Sequence, residues 1–202
     1  MKNLDEIILE RRTIRAFTSA IPPEDLIRLI LKAGLHAPYA ALAVQGIDRY
    51  RRFIVIDGQS ETSKAIKELV KKHTNKFSKM IPVLNIFLKN KIGEAFRKRL
   101  HADLMGVAPW YIIVAEPKGF PPASFQSIAH CLENMWLKAT ELGLGFRLIS
   151  VFEGMGKNEG LCRLLSLKKG TYAMNCCAIG YPAAEPENSV RPDINEIATW
   201  IR

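Results

Sequence analysis

The 202-residue chain carries few of the marks by which a sequence announces its chemistry. No cysteines or histidines recur at the spacing of a metal site, no nucleophile motif is present, and neither a Walker-type nor a Rossmann glycine loop occurs. Metal-centred, triad-type and P-loop chemistry therefore find no support. Only four cysteines occur, Cys131, Cys162, Cys176 and Cys177, all in apolar surroundings, so they read as reduced core thiols in a reducing, cytoplasmic setting. No apolar run is long enough to span a bilayer: the best candidate, around residues 81–88, is followed by Lys89 and Lys91. The first residues include Lys2, Asp5 and Glu6 and lack the apolar stretch of a signal peptide, so a soluble protein without a transmembrane segment is expected. There is no internal repeat and no low-complexity segment.

What is present is one domain's worth of chain, expected to fold as a unit over 1–202, with 48% hydrophobic residues for a core. A net charge of +9 and a pI near 9.5 favour an anionic partner: a phosphorylated cofactor, a dinucleotide, a nucleic acid or a membrane surface. Periodicity predicts helices over about 3–10, with Asn3 as cap, from Pro22-Pro23-Glu24-Asp25 to Gly34, and over 61–72, with Ile66, Leu69 and Val70 inward. It predicts strands over 53–57, 108–115, 147–152 and 172–179. Between them lies the strongest helix, in which Ile128, Leu132, Met135, Ala139 and Leu142 recur at intervals of three and four and Gly143 supplies the stop. Its apolar face is broad enough to need two neighbours, the sheet and a partner subunit. A short helix at 161–165 and a last one, started by Asp193 and Glu196 as a capping box, complete the pattern. A basic excursion at about 60–105 interleaves Lys76, Lys79, Lys89, Lys91, Arg97, Lys98 and Arg99 with aromatic and aliphatic residues, and reads as a lid or, alternatively, a membrane or nucleic-acid patch.

The densest chemistry lies in Arg11-Arg12-Thr13-Ile14-Arg15-Ala16-Phe17. In extended backbone Arg11, Thr13 and Arg15 share a face, and two guanidinium forks with a hydroxyl suit a phosphate. This stretch resembles the opening Arg-Arg-Ser/Thr-x-Arg-x-Phe pattern of the nitroreductase family of FMN-dependent flavoproteins. The ending Ala139-Thr140-Glu141-Leu142-Gly143-Leu144-Gly145 and the run Ile179-Gly180-Tyr181-Pro182 are similar to two further family signatures, and Arg191 stands where a late family arginine closes over the phosphate. The loop at 39–46 departs from the family: Tyr39, Leu42, Val44 and Gly46 replace Ser, Asn, Gln and Trp.

The resemblance implies an α+β sandwich, a central, mostly antiparallel sheet flanked by helices, assembled as a homodimer with FMN at the interface. Alternating helices and strands alone equally allow a doubly wound parallel sheet. By resemblance Arg11, Arg12, Thr13, Arg15 and Arg191 hold the phosphate end, Glu153 and Gly154 lie near flavin N5, and backbone groups of Pro38, Tyr39 and Ala40 meet the flavin of the other subunit. Tyr39 could also stack on the ring, and Lys64 or Lys67 could supply a positive charge beside it. No residue is assigned as catalytic, since the cofactor carries the chemistry. The implied activity is ping-pong transfer from NADH or NADPH to a small electron-poor acceptor, a nitroaromatic or quinone, with no nucleic acid involved. The alternatives are a family member with different chemistry, namely flavin fragmentation, dehalogenation or flavin binding only, and a non-catalytic basic interaction module.

Overall fold

In the computed structural model the described residues are 2–39, 50–87, 104–120, 122–186 and 190–201, with only the main-chain course of 77–87. Ala40, most of the altered loop and the later half of the basic excursion lie outside them.

Helix α1 (Leu4–Glu10) begins with a reciprocal capping box: the Asn3 side chain accepts from the Glu6 amide at 3.0 Å, and the Glu6 carboxylate accepts from the Asn3 amide at 2.9 Å. Helix α2 (Glu24–Leu35) starts after Pro23 with Glu24 and Asp25 in its first turn, where negative charge faces the positive helix end. The strands β1 (Arg52–Asp57), β2 (Trp110–Pro117), β3 (Gly145–Ile149) and β4 (Tyr172–Gly180) form one sheet in the order β1-β2-β4-β3. Every pairing is antiparallel, with Ile54 opposite Ile113 and Ile113 opposite Cys176. The doubly wound alternative is thereby excluded, and the predicted antiparallel α+β architecture stands.

β2 and β4 are buried on both faces, and their alternation divides the core in two. Tyr111, Ile113, Met174, Cys176 and Ala178 face one layer, which helix α3 (Glu61–Phe87) covers with Ile66 and Val70. Ile112, Val114, Cys177 and Ile179 face the other, covered by α2 and by α4 (Ser124–Glu141). Within the chain, the neighbour of α4 besides the sheet is α2. Gly34 permits their contact, since a Cβ there would lie 2.7 Å from Met135 Cγ. All four cysteines are buried and unpaired. Burial pushes the Cys131 thiol up to about 12 and those of Cys176 and Cys177 well above the ordinary range, so all three are packing residues.

Four boundaries differ from the sequence expectation. The predicted strand over 147–152 ends at Ile149, and Ser150–Met155 forms a 3₁₀ helix. Phe152 and Met155, three apart and fully buried, fit a repeat of three residues and not a strand's repeat of two. Helix α3 runs well past Lys72: Thr74 is buried and its hydroxyl donates to the Val70 carbonyl at 3.1 Å, which satisfies it within the helix. β2 begins two residues late because the Pro109 carbonyl accepts from the Gly58 amide at 2.7 Å in the turn before it. Finally, after α5 (Glu159–Leu164), the terminal helix α6 (Ile194–Ile197) is one turn long, and Asp193 caps the Asn195 amide at 2.8 Å with no reciprocal bond from Glu196.

Candidate functional site

The basic segment leaves α1 and is stitched to two later parts of the chain. Thr13 bridges Phe146 of β3 in parallel sense, and the Ile14 amide donates to the Phe146 carbonyl at 3.0 Å. A few residues on, the Thr18 amide donates to the Tyr181 carbonyl at 2.9 Å, and the Ala183 amide donates to the Ala16 carbonyl at 3.0 Å. The anchor is Ile14, buried against Gly145, where a Cβ would come within 2.7 Å of Ile14 Cγ2. With Ile14 inward, Thr13 and Arg15 turn outward, which is the alternation that extended backbone imposes. The same bonds hold the residues that follow β4 beside the arginines. The result is a cavity of about 490 Å³ walled by Arg11, Arg12, Thr13, Arg15, Glu185 and Arg191.

Two aromatic side chains of the core orient the first arginines. Trp136 of α4 stacks on Phe146 with centroids 5.0 Å apart and donates its Nε1–H to the Arg12 carbonyl at 3.1 Å. The Arg11 guanidinium lies 4.5 Å above the Trp136 ring, and its Nε meets Glu133 Oε1 at 3.0 Å. Arg12 turns part of its guanidinium back to the Leu9 and Arg11 carbonyls, while its Nε is buried with no partner among the described residues. Among those residues no salt bridge neutralises Arg12, Arg15 or Arg191. A cavity lined by four guanidinium groups, three of them without a salt bridge among the described residues, and by an orphaned donor favours a multiply charged oxyanion. The donor set fits a phosphate.

The remaining predicted residues lie elsewhere. Glu153 and Gly154 sit in the 3₁₀ helix and are not among the walls of this cavity. Glu153 Oε1 accepts from Asn175 Nδ2 of β4 at 2.8 Å, and a Cβ on Gly154 would lie 3.2 Å from His73 Nε2 of α3. Pro38 and Tyr39 follow α2; the Pro38 carbonyl accepts from Arg51 at 2.9 Å and from the Ser127 hydroxyl at 3.2 Å. Tyr39 stacks on Tyr50 with centroids 4.7 Å apart, and burial, reinforced by the Glu116 carboxylate, raises its phenol above the usual range, keeping it an O–H donor. Lys64 is paired with Glu61 at 2.6 Å and Lys67 lies 5.2 Å from the Tyr111 ring centre, so each has a partner within the chain.

Sequence reading missed the ion pair that sets the 37–39 segment. Arg51, fully buried just before β1, reaches Glu116 of β2 at 2.9 Å, the Ser127 hydroxyl at 3.0 Å and the carbonyls of Gly34, Ala37 and Pro38. Burial pushes the Glu116 carboxyl above its ordinary range, against the opposing pull of Ser127 and Arg51. The only sequence signal was a charge, Glu116, inside an otherwise apolar strand. Trp136 and Glu133 were legible as α4 residues, yet not as neighbours of Arg11.

The antiparallel sheet between two helical layers, with an arginine-lined cavity beside its β3 edge, defines a class of α+β sandwich proteins. The chain matches the sequence profile of the nitroreductase family over residues 8–181, and it belongs to that family. Its fold is similar to that of a nitroreductase with bound FMN from Bacteroides fragilis NCTC 9343, at 20% identity over all of both chains with a TM-score of 0.72. A nitroreductase with bound FMN from Desulfitobacterium hafniense DCB-2 is comparable, at 19% identity over all of both chains and a TM-score of 0.70. Iodotyrosine deiodinase, bound to FMN and 3-iodo-L-tyrosine, shares the fold at 17% identity, 99% of this chain, all of that one, and a TM-score of 0.73. No curated protein matches the sequence. Among the described residues no helix is long and apolar enough to cross a membrane, and no group of acidic, histidine or cysteine side chains could hold a metal ion.

Proposed function

We propose that this chain binds FMN and is an NAD(P)H-dependent oxidoreductase that reduces a small electron-poor acceptor, a nitroaromatic or a quinone, in a ping-pong cycle. The observation that carries the proposal is the meeting of Arg11, Arg12, Thr13, Arg15 and Arg191 around one cavity, because Arg191 joins a motif from the opposite end of the sequence. These residues would hold the phosphate. Bound FMN supplies the two-electron chemistry that no side chain here can perform.

The chain's own residues bind and orient. Trp136 and Glu133 fix the Arg11 plane, so its fork is set before the ligand arrives and less side-chain freedom is lost on binding. The cationic walls also draw in an anionic nicotinamide dinucleotide. Glu153 is held by Asn175, and the Glu153-Gly154 main chain is the segment the family resemblance assigns to flavin N5. Arg51 holds Pro38 and Tyr39, the segment the family resemblance assigns to the flavin of a second subunit.

A homodimer fits the exposed apolar side chains of Val190, Ile194, Ile197, Trp200 and Ile201, in and around α6. The buried, unpaired thiols suit a cytoplasmic setting. The test is to load the purified protein with FMN and mix it anaerobically with NADH or NADPH in a stopped-flow spectrometer. Loss of the flavin absorbance band, restored by a quinone or nitroaromatic, is the expected result. A flavin that neither nucleotide bleaches at a useful rate refutes the reductase and favours other chemistry on the same fold, a reading that the substitutions at 39–46 keep open.

A further inference from the structure

The net charge of +9 is not spread over the chain. Eleven of the 29 basic residues but only two of the 20 acidic ones fall within 64–101, which leaves eighteen of each sign elsewhere. The rest of the sequence is neutral, and the whole excess sits in this one segment. It begins on α3, where Ser63, Ile66, Val70 and Thr74 are buried and mark the face turned to the core. Lys64, Lys71, Lys72 and Lys76 are exposed on the outer side. Lys64 is paired with Glu61, whereas Lys71, Lys72 and Lys76 have no salt bridge among the described residues. Glu68 is the one acidic residue from 64 to 76. None of these lysines walls the arginine-lined cavity, so the phosphate site leaves this charge unexplained.

We propose that the outer face of α3 docks the protein on an anionic lipid surface. Exposed lysines on one face of an amphipathic helix match lipid phosphates in charge and need no precise geometry, because an ammonium on a flexible stem acts as a point charge. Eight of the eleven basic residues in 64–101 are lysines rather than the arginines that forked recognition of nucleic acid favours. The order of residues also favours lipid. After the lysines of 64–76, residues 77–88 contain eight bulky apolar side chains and a single charge, and basic residues return from Lys89 to Arg99. A duplex backbone is met by the charges alone, whereas a headgroup layer over acyl chains is complementary to basic and apolar residues together. Among the described residues no helix can cross a membrane, so the contact is peripheral. On the reductase reading, docking brings the protein to the phase in which apolar quinones dissolve; the docking itself does not depend on that reading.

The purified protein is sedimented with phosphatidylcholine vesicles that contain about one-third phosphatidylglycerol, and with vesicles of phosphatidylcholine alone. Wild type should bind the anionic vesicles in preference to the neutral ones, and binding should weaken as salt is raised from about 50 to about 500 mM. Each lysine near an anionic surface contributes about a factor of five, so the triple variant Lys71→Gln, Lys72→Gln, Lys76→Gln should lose roughly a hundredfold in partitioning. The charge-matched variant Arg28→Gln, Lys118→Gln, Lys168→Gln changes exposed positions outside the segment and should lose far less. Circular dichroism confirms that both variants are folded. A wild type that ignores the anionic vesicles or binds the neutral ones equally well overturns the proposal, as does a loss below about tenfold in the α3 variant or an equal loss in the charge-matched one. Tighter binding of a short DNA duplex than of the vesicles, through the same lysines, overturns it in favour of nucleic acid. None of these outcomes touches the FMN reading, which the flavin titrations test separately.

Discussion

Replacing Arg51 by methionine removes the centre of the most buried polar cluster in the described chain. Its guanidinium donates to Glu116 and Ser127 and to the carbonyls of Gly34, Ala37 and Pro38, and the side chains of Arg51 and Glu116 are 0% and 1% exposed. In Arg51→Met the Glu116 carboxylate stays buried without a counter-ion, which typically costs about 3–5 kcal/mol. Replacing both partners by apolar residues of similar volume removes the stranded charge, so Arg51→Met with Glu116→Met should recover at least about half of that loss. The three carbonyls remain short of a donor in either case, at about 1 kcal/mol each where water cannot reach them, so full recovery is not expected. Urea denaturation followed by tryptophan fluorescence gives the midpoints and slopes for all four members of the cycle. Unchanged slopes allow the midpoints to be read as stability. An Arg51→Met variant within about 1 kcal/mol of wild type, or a double variant less stable than the single one, would refute the argument.

Two other perturbations test separate links. Gly145→Ala places a methyl group against Ile14 and should cost about 1–3 kcal/mol by overpacking, while also loosening FMN because Ile14 is the anchor of the arginine segment; thermal melts and an FMN titration check both effects. The raised pKa of Glu116 means that the folded chain holds its proton more tightly than the unfolded chain does, so the contribution of this group to stability is greatest at low pH and is lost as pH rises through the folded pKa. The stability difference between wild type and Glu116→Gln should therefore shift in favour of the variant as pH is raised from about 4.5 to neutrality, measured as paired urea midpoints across that window.

Local chemistry made the helices and most of the strands readable. Asn3 as a cap, Pro23 before Glu24-Asp25, and the three-and-four spacing of α4 each identified an element whose cause lies within a few residues. What could not be read depended on partners far apart in the chain. Ile14 needs Gly145, Arg11 needs Trp136, and Arg51 needs Glu116, and no periodicity connects the members of these pairs. The strand expected over 147–152 failed for a related reason: β-branched and aromatic residues favoured extension, while burial of Phe152 and Met155 under the sheet imposed the tighter turn. The phosphate side of the candidate site was legible because four of its members are packed into one short motif, and Arg191 entered through the family pattern. Glu185, Trp136 and Glu133 had no such signature.

The most direct test compares FMN with riboflavin, ligands that differ only by the phosphate, on the wild type and on the double variant Arg15→Ala with Arg191→Ala. Each charge-assisted hydrogen bond to a phosphate is worth about 1.5–3 kcal/mol, so wild type should bind FMN at least about a hundredfold more tightly than riboflavin. The double variant should lose most of that preference with riboflavin affinity unchanged. Equal affinities for the two ligands in the wild type, or a preference that survives the loss of both arginines, would contradict the claim that residues from opposite ends of the sequence build one phosphate site.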